Sequence, residues 1–292
     1  MDQDGNRDAP GLSIMFEVLV GGVRMNLTIV LLATIALGAM AITLVPPSAI
    51  ATDAGEIQYA GPLPSAAIPK YIADAVASTD RPAADRQMDK SRRPDQMMAF
   101  FGIKPGMQVA DLWAGGGYTS EVLARVVGPT GKVYSQNNIF PEKFKAGEKA
   151  WQARTSEPGL GNIVEVTKPF DAPDLIPTSE GTLDAVIINL NYHDMVGQGF
   201  DRTKINSSVL KALKPGGVYG LVDNSARAGT GAADANTLHR IDESFEIKEI
   251  ESAGFRLVAT SDIYRNPADD RTWPFFKARG TQDRFALKFV KP

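Results

Sequence analysis

Cysteine is absent from all 292 residues, which excludes disulfides, thiolate metal sites and a cysteine nucleophile. Histidine occurs only twice, as His193 and His239, so imidazole chemistry is confined to two positions. Neither sign of charge dominates. Lys and Arg number 31 against 34 Asp and Glu, for a net charge of −3, and the basic residues are scattered. The concentrated positive field that attracts a polyanion is therefore missing, and nucleic acid is not an expected partner. No G-x-x-x-x-G-K-[ST] occurs, which removes the phosphate loop of nucleoside-triphosphate enzymes. No internal repeat is visible. What is present is ordinary for a globular protein, 43% apolar and 22% charged, and long enough to bury a sizeable core.

One stretch departs from that composition. Leu27 to Val45, LTIVLLATIALGAMAITLV, carries no charge, follows Arg24 and leads to a small-x-small site at Ala49-Ile50-Ala51. This is the grammar of a secretory signal cleaved after Ala51, which predicts a periplasmic or exported protein. Left uncleaved, the run is long enough to serve as an inner-membrane anchor. Membrane association is expected through this segment alone. The signal would begin at Met25, so residues 1–24 read as an extension ahead of it. The cleavage site has no cysteine, which argues against lipidation. Residues 52–67, rich in Ala, Gly and Pro without periodicity, read as a linker.

From Ile68 onward the pattern is periodic. Ile68, Ile72 and Val76 have helical spacing, and Pro94 opens a second helix that Gly102 ends. Strand-like and helical segments then alternate: QVADLWA, TSEVLARVVG, GKVYSQN, PEKFKAGEKAWQART, NIVEVTKPF, LDAVIINLNYHD, DRTKINSSVLKAL, VYGLVDN, RIDESFEIKEIESAG, RLVATSDIYR and DRFALKFVKP. Such alternation predicts one α/β domain over 68–292, a mostly parallel doubly wound sheet with helices on both faces.

The first strand-to-helix turn of this domain is VADLWAGGGYTS. Three glycines without Cβ let the backbone turn sharply and a ligand approach closely, although tight helix-on-strand packing demands the same bareness. In an open parallel sheet this turn lies where ligands bind, and Thr119 or Ser120 is expected to cap the helix whose amides face the crevice. The dinucleotide pattern G-x-G-x-x-G fails, because Ser120 stands at the third glycine's place. Asp111, four residues ahead of Gly115, would repel a pyrophosphate. It would pair with the ammonium group of an amino-acid-like ligand.

These residues resemble the first motif of the class I S-adenosylmethionine-dependent methyltransferases. LDAVIINLNYHDM and LKALKPGGVYGLVDN resemble their fourth strand and the turn into the fifth. More narrowly, DRPAADRQMDKSRRPDQMMAFFGIKPGM and ESAGFRLVATSDIYRNPADDRTWPFF are similar to a bacterial predicted-methyltransferase family whose members often carry signal sequences. The resemblance covers about residues 68–292. It implies a Rossmann-like seven-stranded sheet with an antiparallel last strand, the N-terminal helices serving as a cap. It also implies S-adenosyl-L-methionine as cofactor and a small molecule as methyl acceptor. Carried over by position, Asp111 and the loop of Trp113, Ala114, Gly115, Gly117 and Tyr118 hold the methionine end. Gln136 and Asn137, where the class carries an acid, meet the ribose as weaker amide partners, Asn137 foremost. Asp171 contacts the adenine, and Asn189 lies beside the transferred methyl group.

Methyl transfer needs an aligned nucleophile, and a general base when the acceptor is a hydroxyl or an acidic carbon. Tyr192, His193 and Asp194, just past the fourth parallel strand, are the catalytic candidates, with His193 as base; the plainer alternative is that His193 caps the next helix or touches cofactor. Asp223, His239, Tyr264 and Arg271 are candidate substrate contacts. Arg92 and Arg93 either close the pocket from the N-terminal helices or sit solvated at a helix end. Asp194, Asp223, Asp269 and Asp270 are available to a cation, but no spacing demands one, and no metal is expected. A non-catalytic exported binding protein, or an enzyme running another reaction on the same cofactor site, are the competing readings.

Overall fold

The computed structural model describes residues 12–20, 23–31, 57–277 and 279–292, and the chain divides into two units, 1–53 and 54–292. In the first, β1 (Leu12–Val20) and β2 (Val23–Leu31) pair as an antiparallel hairpin. The start of the apolar run, Leu27 to Leu31, falls in β2. The rest of that run, and the expected cleavage site at Ala49-Ile50-Ala51, lie outside the described residues. Among the described residues no helix is long and apolar enough to cross a membrane.

The second unit opens with β3 (Gln58–Ala60), α1 (Lys70–Ala77), α2 (Ala83–Arg92) and α3 (Pro94–Phe101). There follow β4 (Gln108–Leu112), α4 (Tyr118–Val127), β5 (Lys132–Asn137), α5 (Lys145–Thr155) and β6 (Ile163–Thr167). β7 (Leu183–Asn189), α6 (Tyr192–Gly197), α7 (Arg202–Ala212), β8 (Leu213–Asn224), α8 (Glu243–Ser252), β9 (Arg256–Ser261) and β10 (Arg284–Val290) complete it. The sheet order is β3-β9-β10-β8-β7-β4-β5-β6, and β10 alone runs antiparallel to its neighbours. Seven of these strands are the expected ones. The eighth, β3, comes out of the segment read as linker: Gln58 to Ala60 pair in parallel with Ala259 to Ser261. That pairing is made by backbone, so composition carries no trace of it.

Strand alternation sorts the core into two layers. Ala110, Leu112, Val186, Ile188 and Leu221 pack with Met195 of α6, Ile205 and Val209 of α7 and Ile250 of α8. Val109, Ala185, Ile187 and Val222 face the other way, onto Ile72 of α1, Met97 and Phe101 of α3 and Val122 of α4. The chain winds outward from β4 to β5 and β6, then returns to β7 on β4's other side. The switch point between β4 and β7 opens a crevice at the carboxyl ends of these strands.

Candidate active site

The glycine turn lies at that switch point. Gly115 and Gly117 have φ of 56° and 81°, a region that costs L-residues roughly 1–2 kcal/mol. A β-carbon on Gly117 would also sit 3.0 Å from Arg154 Cδ and 3.2 Å from Trp151 Cδ1, whereas one on Gly115 or Gly116 would meet nothing within 4 Å. Packing therefore explains Gly117, and an open face explains the other two. Trp113, just ahead, is also left-handed at φ 59°. Its ring is held against Phe170 at 4.7 Å and edge-on to Phe200 at 6.1 Å.

The turn is tied down from three directions. Asn137 accepts a hydrogen bond from Gly115 N at 2.8 Å and donates to Gly115 O at 3.1 Å. Gln136 accepts from Trp113 N. Arg154 of α5 donates to Gly116 O at 2.8 Å, and the same guanidinium pairs with buried Glu121 at 2.6 Å and with Asp85 of α2. From the β7 side, Asn191 donates to Trp113 O at 2.8 Å and Asn189 to Thr119 Oγ1 at 3.1 Å. Asn137 thus spends both amide atoms on the loop rather than presenting them to a ribose. The helix begins with Gly117 as its N-cap and no side-chain cap. Ser120, expected as a cap, turns inward instead.

What Ser120 meets is Asp111. Asp111 lies on the α4 face of β4, and at 2% exposure it accepts from Ser120 Oγ at 2.5 Å. Ser120 in turn meets Ser135 Oγ at 2.7 Å, to which Trp151 donates. Burial pushes the Asp111 carboxyl up to about 7, against the Ser120 hydrogen bonds and the positive charge of Arg92, which favour its ionised form. Arg92, in the last turn of α2, lies over the Tyr118 ring at 4.6 Å. Tyr118 donates to Asp89 at 2.5 Å, and Asp89 pairs with the buried Arg81. The N-terminal helices therefore bring a cation to the acidic end of the crevice. Arg93 is drawn into the frame, donating to Ile263 O.

A second polar cluster stands at the ends of β7 and β8. Asp223 is fully buried and holds His193 twice, through His193 N at 2.8 Å and Nδ1 at 2.5 Å. An ionised carboxylate only accepts, so Nδ1 carries the hydrogen and Nε2 is the free atom. Burial opposes protonation of this ring, but Asp223, with Asp194 behind it, outweighs burial and raises its pKa. Nε2 lies 3.4 Å from Asp194 Oδ1, and His239 Nδ1 reaches the same oxygen at 2.8 Å. The two imidazoles meet edge-to-face at 5.6 Å, and Phe275 packs against both. Arg240, fully buried, fastens the overlying loop through Asp269 and Trp273 O.

The structure gathers Asp111, Trp113, Ala114, Gly115, Gly117, Tyr118, Asn189 and Arg92 at one end of the crevice, and His193, Asp194 and His239 at the other. Other expected residues have different work. Tyr192 points into the core, donating to Glu249 at 2.7 Å and accepting from Asn206, because neighbours on a helix project about 100° apart. It cannot act beside His193. Asp223 is sealed beneath His193 and orients it rather than touching substrate. Tyr264 is buried under Arg284 and donates to Arg92 O, linking cap and loop. Arg271 pairs with the buried Asp283 at 2.9 Å. Asp171 is exposed in the loop after β6. Gln136, expected with Asn137 at the ribose, instead bonds Trp113 N and Lys168 O; Arg154 and Phe170, which also hold the loop, are revealed only by tertiary contacts.

No protein-family model matches the chain. Among solved structures, the chain is similar to a SAM-dependent methyltransferase from Aquifex aeolicus, with 18% identity over 74% of this chain and 97% of that one, and a TM-score of 0.54. The [4+2]-cyclase SpnF gives a TM-score of 0.53 at 15% identity, covering 69% of this chain and 81% of that one. A geranyl diphosphate methyltransferase in complex with SAM gives 0.52 at 12% identity, over 75% and 95%. At such identities the likeness concerns architecture, and the cyclase shows that one architecture serves more than one reaction. The chain has the Rossmann-like fold of the class I S-adenosylmethionine-dependent methyltransferases.

Proposed function

We propose that this protein is an S-adenosylmethionine-dependent methyltransferase acting on a small molecule. The observation that carries the reading is the charge arrangement at the glycine turn, a buried carboxyl at Asp111 that feels the Arg92 cation, beside an open backbone. An amino acid is a zwitterion, and this arrangement is its complement: Asp111 for the ammonium, Arg92 for the carboxylate. The bare faces of Gly115 and Gly116 leave open space beside the turn. The Trp113–Phe170 pair offers an apolar wall on the side of β6.

The bound cofactor supplies an electrophilic methyl group on sulfur, transferred by direct displacement. The protein's own part is to hold the two reactants in line and dry. Asn189 and Asn191 fix the β7 end against the glycine turn. Asp223 orients His193 so that Nε2 faces Asp194 at the other end of the crevice. Phe275 packs against both imidazoles at that end. Calorimetry of the full chain with S-adenosylmethionine and S-adenosylhomocysteine tests the reading. Micromolar binding of both is expected; no binding of either at millimolar concentration would sink it.

We further propose that the segment from Met25 to Ala51 directs export. N-terminal sequencing of protein recovered from a bacterial periplasm should begin at Thr52. Recovery only from the cytosol, uncleaved, overturns this.

A further inference from the structure

We propose that His193 Nε2, Asp194 and His239 Nδ1 form a binding site for one divalent first-row transition-metal ion of the zinc or cobalt type. The three residues come from the start of α6 and from the loop ahead of α8, and each offers one ligand atom within 4.8 Å of the others. Both imidazole nitrogens approach a single carboxylate oxygen, at 3.4 and 2.8 Å. Tetrahedral ligands with bonds of about 2.1 Å stand roughly 3.4 Å apart, so the His193–Asp194 separation is already that of two ligands on one ion. It is longer than an ordinary hydrogen bond, whereas His239 Nδ1 lies at hydrogen-bond distance from the same oxygen and would draw back to admit an ion.

The second observation is independent of the cluster. His193 Nε2 is buried, in a residue 1% exposed, and has no hydrogen-bond partner among the described residues. With Nδ1–H engaged by Asp223, Nε2 presents a lone pair to a carboxylate that presents another. Two acceptors facing each other beside the buried ring cost free energy unless a cation, a proton or a metal ion, lies between them. A carboxylate on the far nitrogen of a metal-bound imidazole is the usual outer partner in such sites, where it fixes the tautomer and strengthens the ligand. Asp223 stands in that position at 2.5 Å. Two imidazoles and one carboxylate suit zinc, cobalt, nickel or iron(II) better than magnesium or calcium, which prefer oxygen alone. His239 has a left-handed backbone at φ 52°, and its Nδ1 lies 2.8 Å from Asp194 Oδ1. In place of the free base expected of His193, the structure assigns it a ligand's role. An acceptor oxygen bound at the ion's open position would lie beside the crevice; that use alone rests on the methyltransferase reading.

The test is made on untagged full-length protein stripped with chelator. Titration with cobalt(II), followed by visible absorption, and with zinc(II), followed by calorimetry, should give one equivalent and the intense bands of a low-symmetry site. Asp194→Asn and His239→Ala should weaken binding at least 100-fold, and Asp223→Asn by about 10–100-fold. His239 is partly exposed, so His239→Ala should keep the wild-type melting temperature without metal. Loss of binding in that folded variant supports the site. No stoichiometric binding by wild type, or unchanged binding in His239→Ala, overturns it. Cofactor titrations run in parallel with chelator keep the two readings apart: cobalt bound without cofactor binding retires the methyltransferase reading alone, and the reverse retires the metal site alone.

Discussion

Asp111 gives cofactor binding a definite pH dependence. Its carboxyl titrates at about 7 in the ligand-free protein, while an unfolded chain holds it near 3.9. An ammonium group binds the ionised form, so at pH 6 only about one molecule in ten is ready and affinity should lie roughly tenfold below its plateau; at pH 5, roughly 100-fold. A free α-amino group titrates at about 7.7–8.0, so affinity should fall again above pH 8. The profile is therefore bell-shaped, with its acid limb belonging to Asp111. Calorimetry at pH 6 in buffers of different ionisation enthalpy should show about 0.9 proton released per cofactor bound.

The same shift acts on folding with opposite sign. Because the folded-state value is raised, the folded protein holds a proton between pH 4 and 7 that the unfolded chain has lost. The stabilisation is complete below about pH 4 and disappears as pH rises through 7, an amount on the order of 4 kcal/mol from the roughly three-unit shift. Cofactor should offset this, so the melting-temperature gain on adding it should grow between pH 5 and 7.5. Asp111→Asn keeps the shape and an acceptor for Ser120 but has no charge to lose. It should bind weakly and without the acid limb. A flat wild-type profile from pH 5 to 7.5, or an acid limb that survives in Asp111→Asn, refutes the role given to this carboxyl.

Other expectations are local. Gly117→Ala should lose roughly 1–2 kcal/mol in denaturant melts from its left-handed backbone, with more from the contact to Arg154, whereas Gly116→Ala should be near neutral. Arg154→Met strands the buried Asp85, while Glu121 keeps its pair with Arg125, and should cost about 3 kcal/mol, with weaker cofactor binding by the loosened loop. Tyr192→Phe should lower stability by about 1–2 kcal/mol through its lost bond to Glu249 and leave kcat unchanged; a hundredfold fall in kcat would restore Tyr192 to the reaction. Asn137→Asp replaces the donor to Gly115 O with a second acceptor, and a loss of about 1–3 kcal/mol is expected in the same melts.

Much of the fold was legible because it is written in local patterns. The alternation of apolar runs and amphipathic helices, and the PGG stretch in the first residues of β8, place seven strands without any knowledge of contacts. β3 escaped because three residues pairing through backbone leave no pattern. In the site, Asp111 and the glycines were legible because a charge and three missing side chains at a strand end are rare together. The roles of Tyr192 and His193 were not. Both follow β7, and only the phase of a six-residue helix decides that one faces Glu249 and the other Asp223. Likewise Asp223 is visible as an acid ending a buried strand, but its partner lies 30 residues away in sequence.

Asn137 shows how a departure from a pattern can be a gain of a different kind. Read alone, an amide where related folds carry an acid looks like a weakened ribose contact. A carboxylate, however, only accepts hydrogen bonds, and Gly115 needs both its N–H and its C=O satisfied at a turn with φ of 56°. An amide can do both, and Asn137 does so at 2.8 and 3.1 Å. The loop that must approach a ligand closely is thus held by a neutral side chain, which adds no negative charge beside Asp111. Had a carboxylate stood there, two acids would have flanked the turn and raised each other's pKa further. The exchange moves affinity from a direct contact to preorganisation of the loop.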